Sequence, residues 1–415
     1  MASSRNVIIA GAGIGGLTAA LTLAQSGFRV TLLEQALRLE EAGAGIQLSP
    51  NASRILIALG LGQRLRREAF VPSAVAIKTA GGGTLARIPL ADEAERRFGA
   101  PYWCIHRGDL QMALIEAVHA SPDVELRLGT RVEDFVVHAK GVSVARRQGE
   151  TIHNEQGIAL ICADGLWSSL RARLGHRARP AFRQRTAWRA LVPVAAVAPE
   201  FRGDEVQLWL GRDAHLVHYP VKGGEMINVV AIVGDRWAEP GWNAEGAREE
   251  LLGHYSAWRW CAPVREFLAR PERWRKWALY DLAPIHPWGK GPVTLLGDAA
   301  HPMLPFLAQG AAMAIEDAAV LADCLARQPD DPASAMRRYE RARRGRTARV
   351  QRAARRNGRV YHLAAGEAAL RNLFLRLAGG KLLLRRYRWL YDWRTAPPHS
   401  AADLNVLPAS RAGEE

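Results

Sequence analysis

Glycines at 11, 13 and 16, followed by a glutamate at 34, are the residues whose spacing prescribes chemistry most directly in this 415-residue sequence. Gly11 allows a tight turn after an apolar run, Gly13 lets backbone approach a pyrophosphate, and Gly16 lets the next helix pack against the strand. Ile14 and Gly15 complete the turn at a helix N-terminus, where free amides face anions. Glu34, with Gln35 beside it, stands where an acid hydrogen-bonds a ribose, so the stretch describes a seat for an adenine dinucleotide. A second acid, Asp298, follows an apolar run in Gly297-Asp298-Ala299-Ala300-His301-Pro302. That places it at the carboxyl end of a strand, where open α/β sheets take ligands, although an Asp capping the following helix fits the same pattern. A third set lies in Ala214-His215-Leu216-Val217-His218-Tyr219-Pro220. Two-residue alternation sends His215, Val217 and Tyr219 to one face and Leu216 and His218 to the other, so an imidazole and a phenol stand side by side. A lone histidine in a strand is more often structural.

The elements that must position these groups follow from periodicity. Runs 6–10 and 28–33 predict strands around a helix over 17–26 that ends at Gly27. Residues 39–50, with Gly43, Gly45 and Gln47, read as a Gly/Ala-rich loop, and 52–61 as a short helix stopped by Gly60 and Gly62. Alternation over 72–89 predicts strands around Gly81-Gly82-Gly83. His106-Arg107-Gly108-Asp109-Leu110 leads a helix to 120, and 124–128, 131–137 and 142–146 are consecutive strands. From about 181 to 282, alternating strands rich in Trp, Val and Leu dominate without a phosphate loop. A strand returns at 292–296, then a helix over 310–325. The stretch 336–359 carries eleven arginines against one glutamate and predicts a long helix whose solvated charged face covers other elements, the alternative being an anion-attracting or oligomer surface. The boundaries expected are 1–180 and 286–345 for a discontinuous nucleotide-binding part, 181–285 for a β-rich part and 346–415 for C-terminal helices.

Composition narrows the class. Formal net charge is +15, which favours anionic partners, yet no helix-turn-helix, RNA-binding or zinc-finger pattern accompanies the arginines. Nucleic acid is therefore not expected. Cys104, Cys162, Cys261 and Cys324 are scattered without a CxxC pair, so neither a disulfide framework nor a metal site is expected, and a reducing cytoplasm fits. Residues 7–25 lack charge but contain too many glycines and threonines for a membrane span, and no other segment approaches that length.

Adding the mid-chain Ala163-Asp164-Gly165-Leu166-Trp167-Ser168, the chain resembles, over nearly its whole length, the single-component FAD-dependent aromatic hydroxylases. It looks nearest to salicylate, 3-hydroxybenzoate and 6-hydroxynicotinate hydroxylases within the p-hydroxybenzoate hydroxylase superfamily. The resemblance implies an α/β fold: a discontinuous Rossmann-like FAD-binding domain, a β-rich substrate domain and C-terminal helices. Because the sequence holds one dinucleotide fingerprint, FAD would be the tightly bound cofactor and NAD(P)H a visiting co-substrate. The resemblance places Asp298 at the ribityl chain, Arg107 at the FAD phosphates or flavin edge, and Asp164 in support of FAD and NAD(P)H binding. Gly45, Gln47 and Val132 join the FAD contacts, and the amides of Gly310, Ala311 and Ala312 face the flavin pyrimidine edge. Cys162 departs from the family, which usually has glycine there.

The implied reaction uses NAD(P)H to reduce the flavin and O2 to form a C4a-hydroperoxide, which an electron-rich ring attacks. The protein supplies position, exclusion of water and a path for the phenolic proton. By resemblance His215 is the base or phenol anchor, Tyr219 its partner, and Pro305 a proline whose carbonyl lies near the peroxide. Val217, Phe306 and Leu307 would line the substrate, Phe306 replacing the Gln or His of some relatives, with Gln47 as a polar contact or a loop residue bonded to backbone. His301 is expected to pack at a helix start rather than catalyse. Arg189 could bind a substrate carboxylate, though a structural ion pair is the expectation. The tail 385–393 would dock onto the body or a second subunit. The expected substrate is a small anionic phenolic or N-heteroaromatic acid, hydroxylated with or without decarboxylation, by a chain that could form a homodimer. The alternatives are hydroxylation of a bulkier polyketide or antibiotic ring, and a flavin-bound redox sensor without turnover.

Overall fold

Strands whose residues are apolar on both faces can only sit between helices, and the first strand, Asn6–Ala10, does so with Val7, Ile8 and Ile9 fully buried. In the computed structural model, which describes residues 5–39, 44–241, 243–256 and 259–395, this strand is central to a six-stranded sheet. The order is Gly289–Lys290, Val293–Leu295, Ala159–Cys162, Asn6–Ala10, Arg29–Leu33, Val124–Arg127; all neighbours are parallel except the first pair. Helices Ile14–Gln25, Arg107–Ala120 and Gly310–Arg327 pack with it into one apolar core. The sequence reading has no strand at Ala159–Cys162, because four apolar residues show no periodicity of their own.

Two local expectations need correction. Part of the expected loop 39–50 is a strand, Gly45–Leu48, paired antiparallel with Trp103–His106; residues 40–43, with Gly43, lie outside the described residues. Only a distant partner makes so short a segment a strand. The helix expected to stop at Gly60 and Gly62 instead runs from Pro50–Leu56 through the wider turn Ile57–Leu61, where Gly60 has φ 85°, into Gly62–Glu68.

The second sheet has eight strands, in the order Ala244–Gly246, Trp274–Asp281, Ala181–Pro193, Met226–Gly234, Ala214–Val221, Val206–Leu210, Ala74–Thr79, Thr84–Pro89. Its last two strands come from the 72–89 stretch, so this sheet recruits chain from well before the β-rich segment. One face packs under helices Arg248–His254 and Ala262–Ala269 through Trp188, Trp209, Leu216 and Phe267. Register fixes the other face in rows: Ala187, Ile232, His215; then Arg189, Val230, Val217; then Leu191, Asn228, Tyr219. Leu304 and Phe306, from the loop after Asp298, close on this face with Ala187, Ile232, Trp277 and Leu279.

The C-terminal part is the helices Pro332–Tyr361, Ala365–Arg386 and Arg388–Tyr391; the remainder of the expected 346–415 segment, from 396, lies outside the described residues. The arginine-rich helix is not simply a solvated face. Arg343 is fully buried, its guanidinium 2.7 Å from both Glu316 and Asp317. The tail docks onto the chain's own body: Arg346 donates to the carbonyls of Trp389 and Leu390, both at 3.0 Å, and Arg54 to that of Trp393 at 2.6 Å. Among the described residues no helix is long and apolar enough to cross a membrane.

Candidate active site

The glycine turn has the geometry its spacing predicts. Gly11 has φ +106°, and a Cβ there would lie 2.4 Å from the Ala163 carbonyl oxygen. One at Gly16 would lie 1.9 Å from the Gly11 carbonyl oxygen, whereas Gly13 has open space around it. Glu34 accepts the N–H of Ala12 at 2.7 Å and of Ala36 at 2.9 Å, which puts its carboxylate at the mouth of the turn, with Gln35 exposed beside it. Ile14 is buried, and Gly15 packs against Leu296 and Ala314. Val132 is buried on the strand Thr130–His138, whose first amide donates to the Glu34 carbonyl at 2.8 Å.

The other two motifs meet this turn. Ala163 N–H donates to Ala10 and Leu296 N–H to Cys162, so the sheet brings three distant segments to one edge. Asp164 accepts from Ser168 Oγ at 2.6 Å and from Leu170 N–H at 3.1 Å, which fixes its loop and the start of the helix Ser169–Arg173. Arg171, which carries no sequence signal, donates to the carbonyls of Ala299 at 2.9 Å and Leu166 at 2.8 Å and ties this loop to the Asp298 loop. His301 Nε2 is 2.5 Å from Asp317, a fully buried pair that ties the Asp298 loop to the helix Gly310–Arg327. Cys162 is fully buried, which raises its thiol pKa, so the departure from glycine is accommodated as core.

Asp298 and Arg107 differ from these groups, because neither side chain makes a hydrogen bond to the protein among the described residues. Burial raises the Asp298 pKa against the opposing charges of His301 and Arg107, and burial lowers that of Arg107 against Asp298. Two half-buried charged groups without hydrogen-bond partners, beside an open turn of amides, are what a dinucleotide with a polyol chain would satisfy. The helix Gly310–Arg327 adds its first amides, at Gly310, Ala311 and Ala312, with no side-chain cap. Gln309 before them is held by Ser49 and Asn51, and Asn51 also donates to Glu316 at 2.6 Å. These residues fit FAD.

Across from them stands the sheet face with the histidine and tyrosine. His215 is buried, its Nδ1 2.8 Å from Nε2 of His362, with the rings of Phe306 and Tyr361 at 5.5 and 5.4 Å. Burial, then His362 and Arg185, push its pKa well down, so it is neutral. His218 is on the opposite face, accepting from Trp209 Nε1 at 3.2 Å, its pKa pushed down to about 3 by burial and Lys78. Tyr219 is buried with its pKa raised, chiefly by desolvation, and Gln47 and Arg189 oppose the rise. Gln47 is on a strand and accepts from the Tyr102 hydroxyl at 2.6 Å, correcting the expectation of a loop residue bonded to backbone. Gly45 donates to Asn228 Oδ1 at 2.6 Å, and a Cβ there would sit 2.7 Å from the Tyr219 ring. Val217 is half-buried in the same row as Arg189. Pro305 is exposed at the start of the turn Pro305–Leu307, and its carbonyl accepts from Ala308 N–H at 3.0 Å. Leu307 packs toward Met313, Val350 and Leu390 rather than with Phe306 in the cluster on the sheet face.

Arg189 is the main correction. No carboxylate lies within ion-pair distance of it among the described residues, and its guanidinium instead lies over the Trp277 ring, 3.4 Å from the centroid. Burial and the nearby Arg107 push its pKa down to about 9, opposed by Tyr219. The sequence reading also missed His362, Tyr361 and Asn357 at the end of the arginine-rich helix. Asn357 Nδ2 and the Tyr361 hydroxyl donate to the Phe306 carbonyl, at 3.2 and 3.1 Å. The signal was there, an Asn-x-x-x-Tyr-His run closing an arginine stripe, but nothing in sequence says that a helix so far downstream covers the sheet.

Comparisons with known proteins identify the family. A family model described as FAD binding domain matches residues 4–356. The 3-hydroxybenzoate 6-hydroxylase 1 of Aquipseudomonas alcaligenes is 39% identical over 390 residues, 94% of this chain and 96% of that one. The 3-amino-4-hydroxybenzoate 2-monooxygenase of Streptomyces cremeus is 38% identical over 411 residues, 97% and 98% of the two chains. Among solved structures, a salicylate hydroxylase substrate complex superposes with TM-score 0.79 at 26% identity, covering 95% of this chain and 97% of that one. Klebsiella pneumoniae HpxO complexed with FAD and uric acid gives 0.80 at 26%, covering 94% and 96%. The chain belongs to the FAD-binding family of single-component aromatic hydroxylases and is an FAD-dependent aromatic-ring monooxygenase with NAD(P)H as co-substrate.

Proposed function

We propose that the substrate is a small benzene-ring carboxylate with a free phenol, of the hydroxybenzoate type, whose carboxylate is held by Arg189 and whose phenol meets His215. The observation that carries this reading is Arg189: a guanidinium desolvated beside a second cation, Arg107, with no acid at ion-pair distance among the described residues. A charge so placed is costly unless a ligand supplies the counter-ion. The relatives support the same chemistry, since those named for 3-hydroxybenzoate and for 3-amino-4-hydroxybenzoate act on rings that carry both groups.

FAD, once bound, supplies electron transfer from NAD(P)H and the activation of O2. The chain's own residues do the rest. Gly11, Gly13, Gly16, Glu34, Arg107, Asp164 and Asp298 hold the cofactor, with Ile14, Gly15, Gln35, Gly45, Val132, Gly310, Ala311 and Ala312 around it. Neutral His215 accepts the phenolic proton, which makes the ring a stronger nucleophile. Tyr219 and Gln47 form a polar edge, while Val217 and Phe306 exclude water. Pro305 and Leu307 shape the loop. We assign 1–180, apart from the strands Ala74–Thr79 and Thr84–Pro89 that extend the second sheet, and 286–345 to the FAD-binding part, 181–285 with those two strands to the substrate part and 346–415 to the C-terminal helices, in a cytoplasmic enzyme. A homodimer is supported by the exposed stripe Leu370, Leu373, Phe374 and Leu377 at helical spacing.

The test is NAD(P)H oxidation by the FAD-loaded enzyme with a panel of hydroxybenzoates, scored by product mass. A phenolic benzoate should stimulate oxidation and gain one oxygen. If only uncharged rings are turned over, the reading is wrong.

A further inference from the structure

We infer that His362, which closes the helix Pro332–Tyr361, is a positioning residue: it holds His215 in the Nδ1–H tautomer and so presents the Nε2 lone pair to the substrate phenol. The inference rests on the role proposed for His215, but its geometry stands independently. Three groups lie in a line. His362 Nδ1 is 2.6 Å from the Gly358 carbonyl oxygen, and His362 Nε2 is 2.8 Å from His215 Nδ1. The carbonyl can only accept, so His362 Nδ1 carries hydrogen. A neutral imidazole has one N–H, hence His362 Nε2 is an acceptor and His215 Nδ1 must donate to it. The lone pair of His215 is thereby fixed on Nε2, which makes no hydrogen bond within the described residues. A reversed line would press the His362 Nδ1 lone pair against the Gly358 oxygen at 2.6 Å.

The remaining escape, a proton on both nitrogens of either ring, is opposed from every side that bears charge. Arg185, on the strand Ala181–Pro193, faces both imidazoles, and Arg371, on the helix Ala365–Arg386, faces His362. With burial, these hold His362 at about 3 and His215 well below its ordinary value. The other neighbours bring no charge: Phe306 and Tyr361 flank the His215 ring, and the Tyr255 hydroxyl donates to the His215 carbonyl at 2.7 Å.

The tautomer decides what His215 can do. A neutral histidine left to itself favours hydrogen on Nε2, which would offer a donor to the phenol and make His215 an anchor without basicity. In the fixed tautomer the phenol O–H bond breaks as Nε2–H forms. The positive charge gained by His215 is matched by the phenolate, and His362 Nε2 strengthens its bond to the charged ring. The proton returns when the hydroxylated product leaves as a phenol.

Two measurements test this on the FAD-loaded enzyme. Nitrogen-15 NMR of histidine-labelled protein without substrate should show His215 with hydrogen on Nδ1 and a bare Nε2 at neutral pH. A His215 with hydrogen on Nε2 would overturn the inference. In kinetics with 3-hydroxybenzoate, His362→Phe should lower kcat by roughly 100-fold, the scale of one general base, with KM changed less than about 3-fold. It should also raise the pH at which the bound substrate shows phenolate absorbance by about one unit or more. His362→Gln, whose Oε1 can accept from His215 Nδ1, should recover kcat to within about 5-fold and restore the absorbance profile. Equal impairment in the two variants would make His362 mere packing and overturn the inference. Failure of every hydroxybenzoate to stimulate wild-type oxidation would instead break the substrate reading, leaving the tautomer to be decided by NMR.

Discussion

Two arginines drawn away from solvent, the fully buried Arg343 and the half-buried Arg189, show how the same side chain serves opposite ends. Arg343 is fully buried between Glu316 and Asp317, in a network that continues through Asn51, Arg346 and His301. Every charge there has an opposite one. Among the described residues Arg189 has no acid at ion-pair distance and lies over the face of Trp277, with Arg107 nearby as a like charge. The first region closes on itself and holds the helix Gly310–Arg327 against the arginine-rich helix, which fixes the first amides of that helix. In the proposed reading the second is completed by the substrate carboxylate. An unpaired buried charge is thus the better mark of a binding site than a paired one.

The comparison can be broken most forcefully at Arg343. Arg343→Met should leave Glu316 and Asp317 as buried carboxylates short of a partner and cost about 3–5 kcal/mol of stability, with loss of bound FAD, as read by urea unfolding and flavin fluorescence. A loss under about 1 kcal/mol would mean that the network is dispensable.

Acid should separate the regions next. His215, His218 and His362 are held neutral with pKa values pushed down, the last two to about 3. The unfolded chain takes up their protons near pH ~6.5 and the folded chain does not, so stability is lost as pH falls from ~6.5 toward ~3, by up to about 1.4 kcal/mol per histidine per pH unit. Asp317, whose folded pKa is lowered by His301 and Arg343 against its burial, keeps its contribution until pH falls below the unfolded carboxylate value of about 3.9. Acid weakening between those limits therefore belongs to the sheet region. His218→Gln should make the slope shallower by about one histidine's share, and an unchanged slope would refute that assignment.

The smallest expected effect is on stability at Arg189. Arg189→Met removes an uncompensated cation from a desolvated place, so unfolding free energy should stay within about 1 kcal/mol of wild type or rise. A large loss would show that Arg189 is structural after all.

Much of the geometry of the candidate cofactor site was legible in the sequence because it is local. Gly11, Gly13, Gly16 and Glu34 form one strand–turn–helix–strand unit, and the face of His215 and Tyr219 follows from a two-residue period. The arginines were read the wrong way round, Arg343 as solvated and Arg189 as paired, because pairing is a fact of tertiary contact. Glu316 and Asp317 are 27 and 26 positions before Arg343, and nothing local joins them. Likewise Arg171, His362 and Asn357 act on segments far away in the chain, and Gly45–Leu48 becomes a strand only because Trp103–His106 lies beside it.

The measurement closest to the central claim is a cycle of dissociation constants for 3-hydroxybenzoate and its uncharged amide, 3-hydroxybenzamide, on the FAD-loaded wild type and on Arg189→Met. Loss of a buried guanidinium–carboxylate contact should weaken the acid by about 2–3 kcal/mol, roughly 30- to 150-fold, and leave the amide within about 3-fold. Equal weakening of acid and amide, or no weakening of either, would contradict the assignment of Arg189 to the substrate carboxylate.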